Sequence, residues 1–188
     1  MELKGERVIP AGVEETWVAL NDPVVMKQCI AGCESLERTA DDAYTALVAV
    51  RVGPVSARFK GNLRLTDVQP PVAYTMHFDG QGGVAGFGKG SADVRLQPEG
   101  AEATRLAYAA RAQVGGKLAQ VGSRLVDAAA AKIAEDFFKR FEAELQSRRP
   151  VAAAPEAVPA GRPREPAGPL GWTLAAIVVI VTAWFILR

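Results

Sequence analysis

Apolar and polar positions change rhythm three times along this chain. Between residues 43 and 114 they alternate with a period of two. Ala43–Val52, Val55–Val68, Val72–Gly80, Phe87–Gln97 and Thr104–Val114 each read as a strand. Leu36–Arg38 adds a short one, and Glu2–Pro10 reads as a first strand. Gly53-Pro54, Pro70-Pro71 and Pro98-Glu99-Gly100 fall between strands, where hairpins turn. Val13–Asn21 places Trp17 and Leu20 at helical spacing, and Asp22-Pro23 stops that helix and opens a short one reaching Lys27. From Gly116 the period becomes helical. Leu118, Val121, Leu125, Ala129, Ile133, Phe137, Phe141 and Leu145 recur at steps of three and four. Gly115-Gly116 before them and Pro150 after them bound a single amphipathic helix over 116–146. Period-two strands joined by short turns make an antiparallel sheet with one buried face, and a lone long helix must lay its apolar stripe on it. The fold class is therefore α+β.

A third rhythm follows. Residues 150–169 hold six of the chain's twelve prolines among Ala, Gly, Arg and Glu. That composition builds no core and reads as an extended linker, assigned to 148–169. Leu170–Leu187 is an uncharged run of 18 residues, about 27 Å as a helix. Trp172 and Trp184-Phe185 lie near its ends, as interfacial aromatics do. It is expected to be a single-pass transmembrane anchor over 170–188. Arg162 and Arg164 on its near side place the folded domain, residues 1–147, on the cytoplasmic face of the cell's inner membrane.

Charge and chemistry exclude more than they add. The net charge is +1, and no basic cluster is interleaved with aromatics, so nucleic acid is not an expected partner. The first ten residues hold no apolar signal core. Cys29 and Cys33 are spaced C-x3-C, but the chain's one histidine, His77, is distant, so no metal site is expected. The two thiols read as half-buried residues of a loop over 29–34. His77 alternates with Met76 and Phe78 and is expected to face solvent. Asp67, Asp79 and Asp93 form no pair in sequence. The run at 80–90 is Gly-rich but lies between strands and lacks the Gly-Lys-Ser/Thr of a phosphate loop. A non-catalytic protein is the expectation.

The residues expected between sheet and helix are small: Ala46, Ala110, Ala112 and the alanines 128–131, with six glycines among residues 80–90. Interiors leave few voids, so either the backbones approach closely or a ligand fills the space. In the second case Phe59, Met76, Phe78, Phe87 and Tyr108 line the wall, with Ala110 and the helix residues Val121, Leu125 and Ala129.

Several segments together carry a family likeness: Val13–Asp22 (VEETWVALND) before Pro23, Cys29–Glu34 (CIAGCE), Gly53-Pro54 with Phe59-Lys60-Gly61, Pro70-Pro71 with Tyr74, Gly80–Leu96, and Gly115–Gly122 (GGKLAQVG). Over residues 1–146 the chain resembles the carbon monoxide dehydrogenase G-subunit (CoxG) proteins of the START-like SRPBCC superfamily. It departs at Ala31, where the family usually has proline. The resemblance implies a helix-grip fold, an antiparallel sheet wrapped around a long C-terminal helix, with a hydrophobic cavity. It implies menaquinone or ubiquinone as bound ligand, with no covalent cofactor. It implies a molybdenum-containing carbon monoxide dehydrogenase or related hydroxylase as partner, which the tethered protein serves by presenting membrane quinone. The alternative is a recruitment or assembly factor that carries no ligand.

Overall fold

The computed structural model describes residues 1–148. Strand β1 (Glu2–Ile9) leads into helices α1 (Val13–Leu20) and α2 (Pro23–Cys29). Asp22 caps α2: its Oδ1 accepts from the Val24 N–H at 2.8 Å, and Pro23 needs no partner at the first helical position. Six strands follow: β2 (Cys33–Ala40), β3 (Ala43–Val52), β4 (Val55–Gln69), β5 (Ala73–Gln81), β6 (Phe87–Pro98) and β7 (Thr104–Gly115). A single turn, α3 (Lys117–Gln120), precedes the long helix α4 (Ser123–Arg148). All neighbouring strands are antiparallel in the order β1-β7-β6-β5-β4-β3-β2. The chain is thus α+β, with a seven-stranded antiparallel sheet and a long C-terminal helix.

Two clusters hold helix to sheet. The larger gathers Phe138, Phe141 and Leu145 of α4 with Ile9, Leu20, Val25, Tyr74, Leu96 and Leu106. Phe141 is fully buried and stacks on Phe137 at 5.7 Å. Thr16 and Thr104 are the buried polar residues here, and both hydroxyls donate to the Ala11 carbonyl, at 3.4 and 2.7 Å, so neither is left unpaired. The smaller cluster joins Val126 of α4 to Leu118 and Val52, with Val50, Phe59, Val114, Val121 and Ala129 around them.

Three expectations are corrected. The helix predicted over 116–146 is broken at Gly122, whose φ of +94° ends α3 and restarts the chain as α4. Its apolar stripe also differs. Residues four apart on an α-helix rotate by about 40° per step, so a strict run from Leu125 to Leu145 cannot stay on one face. The sheet selects Phe138, Phe141 and Leu145, with Phe137 partly buried beside them. Earlier in the helix Val126 is buried, while Leu125 and Ile133 are 49% and 41% exposed. Finally, the expected loop at 29–34 is mostly regular: Cys29 closes α2 and Cys33 opens β2, which runs to Ala40 rather than spanning only 36–38.

No helix among the described residues is long and apolar enough to cross a membrane. The expected linker and the anchor over 170–188 lie outside the described residues, apart from Arg148, which ends α4.

Candidate functional site

The strand registers define which side chains share the face beneath α4. One row across the sheet is Tyr74, Val94, Tyr108 and Gly5. The next is Leu65, Met76, Ala92, Ala110 and Leu3. Then come Tyr44, Leu63, Phe78, Gly90 and Ala112. The fourth is Ala46, Gly61, Gly80, Gly88 and Val114. Bulk therefore falls away along the face. In the fourth row three adjacent strands present glycine side by side, which leaves bare backbone where a core would carry side chains.

That bare row lies at the seam of the two clusters. Leu63 and Met76 pack against the larger one, Val114 and Phe59 against the smaller. The apolar α4 residues between Val126 and Phe137 that are partly buried are Ala129, Ala130 and Ala134, so the helix adds little bulk there. Glycines on adjoining strands can mean close backbone approach, and at two positions they do. A Cβ on Gly61 would meet the Asp79 carbonyl oxygen at 2.6 Å, and one on Gly90 would run into the Arg111 carbonyl oxygen. Gly88 differs. A Cβ there finds no atom within 4 Å, and at Gly80 the nearest atoms stand 3.9 Å away. Gly61, Gly80, Gly88, Gly90, Ala110 and Ala112 are all only half-buried, although Ala92 and Val94 beside them are buried. A tightly packed interior would bury all of them alike.

The face is apolar. Phe59 lies with its ring over Gly82, and the Phe78 ring approaches Gly90. Tyr108 packs against Phe138 with the rings tilted by 32° and their centres 5.2 Å apart, and its ring crosses Gly5, where a Cβ would stand 2.6 Å from the hydroxyl. Arg7, at the β1 edge, lies 5.8 Å from the Phe138 ring centre. Tyr74 is buried against Trp17 (5.6 Å, edge-on); burial, and to a lesser degree Tyr44, push its hydroxyl far above the ordinary range. Burial likewise pushes the Cys29 thiol up to about 11, with the Glu144 carboxylate adding to it.

Of the residues expected to line a cavity, Met76, Phe78, Tyr108 and Ala110 share this face, and Phe59 joins it at the smaller cluster with Val121 and Ala129. Two do not join. Phe87 alternates with Gly88 and so lies on the opposite face of β6, with its ring over Gly115 and 38% exposed. Leu125 leans toward the β3–β4 turn at Gly53 and is largely exposed. Ala112, expected between sheet and helix, is on the face, whereas Gly61, Leu63, Ala92 and Val126 belong to it and are missing from the lining expected from sequence. Strand parity marks Leu63 from Phe59 and Ala92 from Gly88; nothing in the sequence marks the cross-strand alignment of the glycines.

Catalytic groups do not converge here. His77 is exposed on the other face, its Nε2 3.1 Å from the Thr66 hydroxyl, and Asp93 accepts from Thr75 at 2.8 Å. Among the described residues no three of His, Cys, Asp and Glu group as metal ligands. The arrangement offers apolar contact and shape.

The carbon monoxide dehydrogenase G-subunit (CoxG) family model matches residues 5–146. No curated protein matches the chain in sequence. Among solved structures, a conserved protein from Geobacillus kaustophilus is 33% identical, with a TM-score of 0.74, over 78% of this chain and 96% of that one. A START superfamily protein from Mycobacterium smegmatis (14%, TM-score 0.61, 78% and 97%) and the ZhuI aromatase/cyclase from Streptomyces sp. R1128 (12%, TM-score 0.62, 81% and 98%) share the fold.

Proposed function

We propose, from the premise that this chain belongs to the carbon monoxide dehydrogenase G-subunit (CoxG) family, that it holds a long apolar ligand between its sheet and α4. The ligand is an isoprenoid quinone, menaquinone or ubiquinone. The protein serves a molybdenum-containing carbon monoxide dehydrogenase or related hydroxylase by presenting that quinone as electron acceptor. The residues 170–188 tie it to the inner membrane, with the domain on the cytoplasmic side.

The observation that carries this reading is the half-buried pair Gly80 and Gly88, with open space at Gly88, together with the partly buried small residues Ala129, Ala130 and Ala134 of α4. An isoprenoid tail suits such a face. It is flexible, brings no polar group that needs a partner, and gains about 0.8 kcal/mol for each methylene withdrawn from water. Sheet and helix replace the bilayer around the tail. The redox chemistry belongs to the quinone and to the dehydrogenase, and the protein supplies enclosure and position.

The test is direct. Full-length protein purified from cells grown under respiratory conditions is extracted with organic solvent and analysed by mass spectrometry, then titrated with menaquinone and ubiquinone. Recovery of a quinone, or saturable binding of one, is expected. Absence of both, with the protein still co-purifying with a dehydrogenase, would leave a recruitment factor with no ligand.

A further inference from the structure

The two ends of the sheet differ in charge. Residues 10–23, 39–42, 67–72 and 98–104, which carry α1 and the connections at its end, hold eight carboxylates and no Lys or Arg, although Asp22, Asp42 and Glu99 pair with Arg148, Arg64 and Arg105 from neighbouring segments. At the opposite end, residues 51–60, 81–89 and 113–127 hold six Lys or Arg and one carboxylate, Asp127. Arg58 is neutralised by Glu34 at 2.7 Å. Arg51, Lys60, Lys89, Lys117 and Arg124 are exposed and make no ion pair among the described residues. The same end carries exposed apolar side chains. Val84 stands 86% exposed at the tip of the β5–β6 hairpin, between Gly83 and Ala85, and Leu125 and Phe87 are 49% and 38% exposed behind it.

We infer that this end docks on an anionic bilayer surface, with Val84 entering the interface and the five cations spread on the headgroups. The proposal rests on the ligand reading only for its purpose: the bare glycine row lies in the half of the sheet nearer this end, so docking sets the interior against the source of an apolar ligand. Charge complementarity selects the occupant. Unpaired Lys and Arg around a small apolar tip match acidic headgroups over acyl chains, because their long stems lie along apolar matter while their charges stay in water. A protein partner of comparable affinity would need a wider apolar centre than one valine tip offers. The chain's geometry permits the orientation. α4 begins at this end and closes at the other, where Arg148 lies 3.6 Å from Asp22. Its 26 residues span about 39 Å. The 21 residues 149–169, at about 3.3 Å each, reach up to roughly 70 Å, enough to return from the far end to the same membrane.

The experiment uses the full chain. A Val84→Cys, Cys33→Ser variant, in which Cys29 stays buried, is labelled with an environment-sensitive fluorophore and reconstituted into vesicles of phosphatidylcholine with or without phosphatidylglycerol. On anionic vesicles the emission is expected to shift blue and to be quenched by spin-labelled acyl chains. Each of Lys89→Gln, Lys117→Gln and Arg124→Gln lowers the ratio of inserted to free tip about fivefold. A probe that stays in water on anionic vesicles overturns the proposal. So does a shift seen only on adding the dehydrogenase without lipid, which makes this end a protein interface. Quinone content measured in the same samples separates the two readings. Bound quinone with a water-exposed tip sinks docking alone; an inserted tip with no bound quinone upholds docking and sinks the ligand.

Discussion

Gly88→Val is the substitution that separates a ligand space from close packing. Glycine in the middle of a strand is ordinarily a weakness, and valine favours the strand by up to about 1 kcal/mol. That gain appears only if the new side chain has room. At Gly88 an added Cβ meets nothing within 4 Å, so the variant is expected to fold and to melt at or slightly above the parent's temperature. Gly61→Val, two strands away in the same row, is the control. Its Cβ would stand 2.6 Å from the Asp79 carbonyl oxygen, and backbone has to move, at a cost of about 1–3 kcal/mol. The two variants then diverge in binding. Three added carbons at Gly88 occupy the volume of two to three ligand methylenes. Losing contact with that many gives about 2 kcal/mol, or roughly 30-fold in affinity. The assays are thermal unfolding and quinone titration of the full-length protein. A Gly88→Val protein that unfolds early, like Gly61→Val, would show the space to be closed; one that folds well and binds as tightly as the parent would show the ligand to lie elsewhere.

Other changes should follow the same geometry. Ala110→Phe, on the half-buried second row, is expected to fold and to lower bound quinone by an order of magnitude or more, read by extraction and mass spectrometry. Ala129→Phe should also exclude ligand, but at a stability loss of about 1–3 kcal/mol in urea unfolding, because Ala129 already packs on Val126, Leu118 and Val52. Cys29 is held protonated by burial, with a thiol raised from 9.0 to about 11. The folded state therefore keeps a proton that the unfolded chain releases. Its contribution is fully present below pH 9 and is lost as pH rises from 9 to 11, up to about 3 kcal/mol. Cys29→Ala should flatten that part of the stability–pH curve. Deleting residues 170–188 should move the protein from the membrane to the soluble fraction on cell fractionation; retention in the membrane would remove the anchor from the account.

The fold was largely legible because a half-buried antiparallel sheet writes its period into every strand. Phe59, Leu63 and Leu65, or Val94 and Leu96, leave little choice of face. Asp22-Pro23 and the proline-bearing turns supplied local boundaries for chemical reasons that hold in any context. The helix face was less legible. The four-residue ladder from Leu125 ignored the rotation of the helix, and only contact with the sheet shows that Val126 and Phe138 win over Leu125 and Ile133. The site was harder again. A parity slip at the first residue of β6 put Phe87 among the lining residues, when its neighbour Gly88 holds that face. The row Gly61, Gly80, Gly88 depends on the pairing of three strands, and no single strand contains that information. Charge asymmetry was in the sequence throughout, but a net charge of +1 hides it until the topology sorts the connections to two ends.

The central claim is that the interior is finished by a molecule other than the protein. The measurement that reaches it most directly is a crystal structure of the chain saturated with menaquinone. The account predicts isoprenoid density between α4 and the sheet, in contact with Gly80, Gly88 and Ala110. An interior closed by side chains, with the quinone absent or lying on the outer face of the sheet beside His77, would contradict it.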